Sequence, residues 1–331
     1  MQIFHSIADI AACQEQDRRP SVVTIGSFDG IHLAHRELLR RVCEQARARN
    51  AVSVAVSFEP HPLAVLAPSR MPKLLTPLPA KIDLLASTGI DRLLLIPFTT
   101  ELSQWSAEMF IEQVLVAALH AKAVIVGDNF RFGHRQSGTP ELLQQLGKNF
   151  SYTAEIFPKM TLRGRTISSS EIRVLLETGK LSHANRLLGR PFSVRGGIAT
   201  GLGIGARQTV PTFNLDDYPG LLPVRGVYVT RTKLFSDDFS SMVESEAIDS
   251  VTNVGTRPTF GEREMGVETH LLQTLPAAAM QPAAMEIFFF HRLRDERKFD
   301  SPSALKQQII ADIDRARRYL RRARMLTEPR A

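Results

Sequence analysis

SVVTIGSFDGIHLAHRELLRRVCEQARARN (21–50) passes from an apolar β-rich run, SVVTIGSF (21–28), through a glycine-bearing turn into a helical stripe, HRELLRRVCEQARARN (35–50). A second strand signal, AVSVAVSF (51–58), follows at once. Working outward, the alternation repeats: LPAKIDLLASTG (78–89) and SAEMFIEQVLVAALH (106–120) read as helices, each followed by a buried-strand run, DRLLLIPF (91–98) and AKAVIVGDNF (121–130). Strands alternating with helices predict an α/β fold with a doubly wound, Rossmann-like parallel sheet. Ligands of such sheets sit at the carboxyl ends of the strands, where GSFDGIHLAH (26–35) lies.

The texture changes after LSHANRLLG, near 187–190. Short β runs, GVYVT (226–230), SVTNVG (250–255), VETHLL (267–272) and AMEIFFFHRL (284–293), come without intervening helices and predict a small antiparallel β-barrel, closed by a terminal helix over about 303–324. Domains of 1–187 and 188–331 follow, as a 331-residue chain favours two cores over one. Cys13 and Cys43 read as free thiols, too few for a disulfide framework. MQIFHSIADI (1–10) lacks the pattern of a secretory signal and no apolar run is long enough to span a bilayer, so a cytoplasmic protein with no membrane partner is expected. The net charge of +7 suits either nucleic acid or polyphosphate substrates. Much of it lies in RARRYLRRAR (315–324) beside Ile309, Ile310, Ile313 and Leu320, and is read as the solvated face of an amphipathic helix in preference to an RNA-binding arm.

In GSFDGIHLAH, Gly26 and Gly30 permit tight turns, and the opening helix offers unpaired backbone amides and a dipole that favour phosphate. His32 and His35 share one face at its start and can donate hydrogen bonds to a phosphoryl group; taken alone, the pair is equally at home as packed or surface histidines. The spacing and glutamate of a zinc HExxH helix are absent. Asp29 either orients a histidine or terminates the strand. Phe58, His61 and Phe130 offer rings for stacking or for packing, and Ser168, Ser169 and Ser170 before Arg173 offer hydroxyl donors or a plain helix cap. RGGIATGLGIGARQTVPTFNL (195–215) is glycine-rich through Gly201 and Gly205 without a Walker GK[ST], and its PTFN places Thr212 and Asn214, two oxygen ligands suited to Mg2+ on a nucleotide. No convincing covalent nucleophile accompanies these groups.

GSFDGIHLAH resembles the signature of the HxGH nucleotidyltransferases, with Ala34 at the usual glycine. Together with FEPHP (58–62), VGDNFRFG (126–133) followed by Arg135 and Gly138, and ISSSEIR (167–173), it resembles in order the adenylyltransferase half of the prokaryotic bifunctional riboflavin kinase/FAD synthetase family. The resemblance implies that His32 and His35 contact ATP phosphates and that Arg173 assists catalysis. It also implies that Gly26, Phe28, Asp29, Gly30, Phe58, His61, Asn129, Arg131 and Ser168 to Ser170 form the nucleotide and flavin site. The second half resembles the riboflavin kinase barrel through Gly201, Gly205, Thr212, Asn214, GVY (226–228), NVGTRPTF (253–260), Glu268 and His270, and LRDERKF (293–299). Thr212 and Asn214 would then bind Mg·ATP and Glu268 would be the base. Riboflavin, FMN, FAD and ATP are the implied partners, with no nucleic acid. Thr209 and QTLPAAAMQPAAM (273–285) depart from the family pattern and motivate an alternative, a monofunctional adenylyltransferase whose barrel only binds flavin.

Overall fold

A computed structural model describes residues 1–199, 212–216, 218–237, 239, 242–243, 246–256, 265–274 and 281–327. They form two compact units, Met1–Ser169 and Ser170–Ala331.

The first unit runs β1 (Gln2–Phe4), α1 (Ile7–Asp17), β2 (Ser21–Ile25), α2 (Leu33–Ala48), β3 (Val52–Glu59), α3 (Pro62–Leu66), α4 (Leu78–Ala86), β4 (Arg92–Pro97), α5 (Thr100–Ser103) and α6 (Ala107–Phe110). The α6 helix continues into a wider-turned segment, Ile111–Ala118, closed by the Leu119 N–H on the Val114 carbonyl five residues back. Then come β5 (Ala121–Gly127), α7 (Pro140–Phe150), β6 (Thr153–Phe157) and a short hairpin of β7 (Thr161–Leu162) and β8 (Arg165–Thr166). The main sheet is parallel throughout, in the order β1-β4-β3-β2-β5-β6.

All five residues of β2 are buried, as a central strand covered on both faces requires. Side chains alternate between the faces: Val23, Ile25, Val54, Val56, Val124 and Val126 join the core under α1 and α6, while Val22, Ala55, Leu93, Leu95 and Ile125 join the core under α2 and α4. The α2 helix presents Leu38, Leu39, Val42, Cys43 and Ala46 to that second core, one stripe at helical spacing. The expected strands over 21–28 and 121–130 end earlier, at Ile25 and Gly127, because the chain turns there into the loops that carry the chemistry.

The second unit takes in α8 (Ser169–Glu177) from its second residue and α9 (Leu181–Leu188), followed by β9 (Phe192–Gly197), β10 (Thr212–Asn214), β11 (Gly226–Phe235), β12 (Ile248–Thr256), β13 (Met265–Leu271), β14 (Ala284–Arg294) and α10 (Pro302–Thr327). Its sheet has the order β10-β13-β12-β11-β14-β9 and closes on itself: the Ala199 N–H bonds the Asn214 carbonyl (2.9 Å) and the Asp216 N–H bonds the Gly197 carbonyl (2.9 Å). A six-stranded barrel results. The α9 helix is tied to it through Asn185, whose amide donates to the Phe289 carbonyl (2.8 Å) and accepts from the Phe192 N–H (2.8 Å). On the barrel's outer face Val227, Val229 and Val251 pack against Ala316 and Leu320 of α10, with Ile313 beside them. Ile309 and Ile310, placed by the sequence pattern on this apolar stripe, are exposed, since the part of α10 that packs on the barrel begins at Ile313.

Candidate active sites

In the first sheet the strand order reverses at β2: β3 and β4 lie to one side of it, β5 and β6 to the other. The loops leaving the carboxyl ends of β2 and β5, GSFDGIH and GDNFRFG, therefore flank the crevice where such sheets bind ligands. The first loop is wound tightly, with left-handed backbone at Phe28 (φ 49°), Gly30 (φ 84°) and Ile31 (φ 38°). Only Gly30 adopts this without penalty; a non-glycine residue there costs about 1–3 kcal/mol and persists where its surroundings enforce it. Phe28 is buried and meets His35 edge-on, ring centroids 5.4 Å apart. A Cβ at Gly26 would approach the Phe28 Cζ to 3.3 Å.

Asp29, whose role the sequence leaves open, braces the loop. Its buried carboxylate accepts the N–H groups of Leu75 and Thr76, both at 3.0 Å, and its carbonyl accepts the Ser169 hydroxyl at 2.8 Å. His32 caps α2: its Nδ1 accepts the His35 N–H (3.3 Å), so the proton of the neutral ring is on Nε2. The two imidazoles stack at 3.7 Å between centroids and 14° between planes. Burial, with His32 alongside, holds His35 well below the ordinary histidine range and so neutral. Its Nδ1 is buried without a hydrogen-bond partner among the described residues.

Beyond β3 and β5 lies a cavity of about 530 Å³, lined by Phe58, Phe98, Leu102, Trp105, Phe110 and Phe132, with Arg131, His134 and Arg135 at its polar wall. Phe58 and Arg131, named from sequence, are in this lining. Phe130 is not, although it stacks on Phe132 at 5.3 Å. His61 caps α3 instead, its Nδ1 accepting the Leu63 N–H at 3.2 Å. Asn129 is exposed on the turn after β5, where the Phe130 N–H bonds the Gly127 carbonyl. Ser170 and Arg173 stand one helical turn apart on α8, in the second unit. Phe98, Trp105 and Phe132 were missed from sequence; the glycine at 138 was the available signal, as a Cβ there would lie 2.5 Å from the Phe132 ring.

In the barrel, β10 and β13 pair Thr212 with His270 and Asn214 with Glu268. The Thr212 hydroxyl lies 2.9 Å from His270 Nδ1. Burial lowers the His270 pKa and so favours the neutral ring. A cavity of about 490 Å³ between the barrel and α10 is lined by Thr212, Asn253, Glu268, His270, Phe299 and Ile309 among others, which explains the exposure of Ile309. Its wall is latched by Arg294, whose Nε donates to Asp312 at 2.8 Å, while Gln308 donates to the other Asp312 oxygen at 2.8 Å. Gly201, Gly205, Thr209 and positions 275–280 lie outside the described residues. Among those described, no cluster of three His, Cys, Asp or Glu side chains could hold a metal alone. The hydroxyl of Thr212 and amide oxygen of Asn214 are hard donors that fit Mg2+ carried in on a nucleotide.

Comparison with known proteins follows the same division. The FAD synthetase family model matches residues 14–171, and the riboflavin kinase family model matches residues 188–320, a span that takes in Thr209 and 273–285. The bifunctional riboflavin kinase/FMN adenylyltransferase of Escherichia coli K12 is 33% identical over 319 residues, covering 96% of this chain and 98% of its own. That of Buchnera aphidicola subsp. Schizaphis graminum is 32% identical over 302 residues, covering 90% and 94%. A solved structure from Streptococcus pneumoniae, described as a macrolide-efflux protein, superposes with a TM-score of 0.78 at 27% identity, covering 90% of this chain and 94% of its own. No helix among the described residues is long and apolar enough to cross a membrane. With both family models matched in tandem and relatives aligned over nearly their whole length, the chain belongs to the bifunctional riboflavin kinase/FMN adenylyltransferase family.

Proposed function

We propose that the barrel transfers the γ-phosphoryl group of ATP to riboflavin, giving FMN, and that the parallel-sheet unit transfers AMP from a second ATP to FMN, giving FAD and pyrophosphate. The observation that carries this is the stacked His32–His35 pair at the strand-order reversal of a chain that matches both family models in tandem.

In adenylyl transfer a terminal phosphate oxygen of FMN attacks the α-phosphorus of ATP in line, and the bond from that phosphorus to the pyrophosphate oxygen breaks. The work of the protein is alignment and charge stabilisation. His32 Nε2–H would donate to the phosphates, and the amides at the start of α2 would add further donors. The aromatic cavity beside Phe58, Trp105 and Phe132 suits the isoalloxazine ring, with Arg131 and Arg135 as cations for flavin phosphate.

In the barrel, Glu268 accepts the proton of the ribityl 5′-hydroxyl as its oxygen bonds to the γ-phosphorus and ADP leaves. Thr212 and Asn214 would hold Mg2+, which when bound neutralises charge on the transferring phosphoryl group. The hydrogen bond to His270 Nδ1 holds the Thr212 hydroxyl in place. The partners are ATP and flavins in the cytoplasm, with neither nucleic acid nor membrane required.

Purified protein supplied with Mg·ATP and either riboflavin or FMN, with the flavins separated and quantified, tests the assignment. FMN and FAD from riboflavin, and FAD from FMN, are expected. FAD from FMN without any phosphorylation of riboflavin would remove the kinase, and no product from either would overturn the proposal.

A further inference from the structure

Glu296 lies in LRDERKF (293–299), where the chain passes from β14 to α10, and lines the barrel cavity together with Thr212, Asn253 and Glu268. The two arginines that bracket it tie this segment to α10. Arg294 donates to Asp312 at 2.8 Å, and Arg297 donates to the Gln308 side-chain oxygen. Both guanidinium groups also stand over the Phe299 ring, 5.6 and 4.8 Å from its centroid. With the neighbouring cations engaged there, the Glu296 carboxylate makes no hydrogen bond or ion pair among the described residues.

Its place is set by a missing side chain on β12. A Cβ built on Gly255 would stand 2.9 Å from Glu296 Cδ and 3.1 Å from Asn253 Nδ2, so the carboxyl group fills space that any larger residue at 255 would take. Directly opposite Gly255 on β13 stands a second glycine, Gly266. Two positions along the same face of β12, Asn253 is paired with Glu268, which is paired on its other side with Asn214. Side chains paired in this way stand about 4.5–5.5 Å apart. One wall of the cavity thus carries two carboxylates, Glu268 and Glu296, with the Asn253 amide beside both. Much of the remaining lining is apolar, through Val227, Val251, Leu305, Ile309 and Phe299.

An ionised carboxylate accepts hydrogen bonds and donates none, and two of them on one wall disfavour a ligand that is negatively charged at that point. The complement is a neutral group rich in donors, which a chain of hydroxyls supplies. We infer that Glu296 binds the secondary hydroxyls of the ribityl chain and makes the barrel select a polyol flavin over one with a plain alkyl chain. The inference rests on the barrel phosphorylating riboflavin, with Glu268 at the terminal hydroxyl. A hydrogen bond from hydroxyl to carboxylate is strengthened by the charge, and a ligand that lacks the hydroxyl leaves the carboxylate unpaired in the closed site.

The test uses the full-length chain with Mg·ATP and two acceptors: riboflavin, and a flavin whose hydroxypentyl chain keeps the terminal hydroxyl and lacks the secondary ones. The parent is expected to prefer riboflavin by about a hundredfold or more in kcat/KM. Glu296→Ala should lower kcat/KM for riboflavin about thirtyfold, chiefly through KM, and leave that for the hydroxypentyl flavin within about threefold, so that the preference collapses. Gly255→Ala should do the same from the other side of the contact, since its Cβ displaces the end of a flexible side chain and the fold is kept. FAD formation from added FMN should be unchanged in both. An undiminished preference for riboflavin in Glu296→Ala, or an equal fall for both acceptors, overturns the inference. A raised Mg2+ requirement with the preference intact also overturns it, by making Glu296 a metal ligand. If the parent phosphorylates neither acceptor while still making FAD from FMN, the kinase reading falls and this inference with it. Should Glu296→Ala not fold, Gly255→Ala decides by the same ratio of the two acceptors.

Discussion

His32 does two things with one ring. Nδ1 accepts the His35 amide, and in the proposed reaction Nε2–H would donate to the phosphates, so a substitution would remove both an N-cap and that donor. His32→Ala is expected to cost about 1 kcal/mol of stability as a lost cap and about a hundredfold or more in kcat for FAD formation. Thermal unfolding followed by Trp105 and steady-state assay of FAD formation separate the two effects. Glu268 is the reciprocal case: Glu268→Gln keeps the shape of the pocket but takes away the proposed base, and FMN formation from riboflavin should drop about a thousandfold. FAD formation from added FMN should not change.

His35 makes a prediction in pH. Its folded pKa lies well below the ordinary 6.5, through burial first and the neighbouring His32 second. The unfolded chain therefore binds a proton that the folded chain refuses. The stability this ring supports is complete above the unfolded pKa near 6.5 and is lost as pH falls from there toward the lower folded value. Trp105-monitored melting temperatures should decline from pH 7.5 to pH 5.5, and His35→Gln should flatten that decline. An unchanged slope in His35→Gln would show that other groups carry it.

At the scale of elements, what could be read in advance was whatever local pattern dictates. Strands β2 to β5 announce themselves as apolar runs because both of their faces are buried, and α2 does so by a stripe at helical spacing. Their ends were overshot where tertiary structure takes over: Phe28 has the character of a strand residue, yet it is buried by a left-handed turn that no propensity foretells. The α7 helix holds Gly147, a residue with low helix propensity. It is there for a close approach, a Cβ being 2.6 Å from the Tyr152 carbonyl. The short edge strand β1 and α1 went unread too, since β1 has three residues and is defined only by pairing with β4, some 90 positions away. Residues grouped by a contiguous motif could be singled out in the sequence, whereas the aromatic cavity could not, because Phe58 at the end of β3 meets Phe98, Trp105 and Phe132 from segments far along the chain.

Gly138 tests that convergence. Placing a side chain against the Phe132 ring, 2.5 Å from a built Cβ, requires the ring to move into the cavity. Gly138→Val should cost about 1–3 kcal/mol by overpacking and raise KM for FMN in FAD formation, leaving riboflavin phosphorylation as it was. Urea unfolding read by Trp105 and the two assays would check it. An unaltered KM would mean that flavin does not use this cavity.

The whole molecule carries two candidate sites with centres in different compact units: the His32–His35 pair within Met1–Ser169, and the Thr212–His270 and Asn214–Glu268 pairs within Ser170–Ala331. The product of the barrel is the acceptor substrate of the other unit, so the two reactions are joined by FMN. If that FMN is released into solution, the sites need not be on the same chain. An equimolar mixture of Glu268→Gln and His32→Ala proteins, supplied with riboflavin and Mg·ATP, is then expected to make FAD although neither variant does so alone. FAD should appear after a lag while FMN accumulates to near its KM, and the lag should shorten in proportion to the concentration of the His32→Ala protein, which supplies the FMN. The parent chain at equal site concentration sets the comparison: an identical lag means free diffusion between sites, and FAD without a lag in the parent alone means that FMN passes directly. A mixture that accumulates FMN yet yields no FAD, while Glu268→Gln still adenylylates added FMN, would contradict exchange through solution.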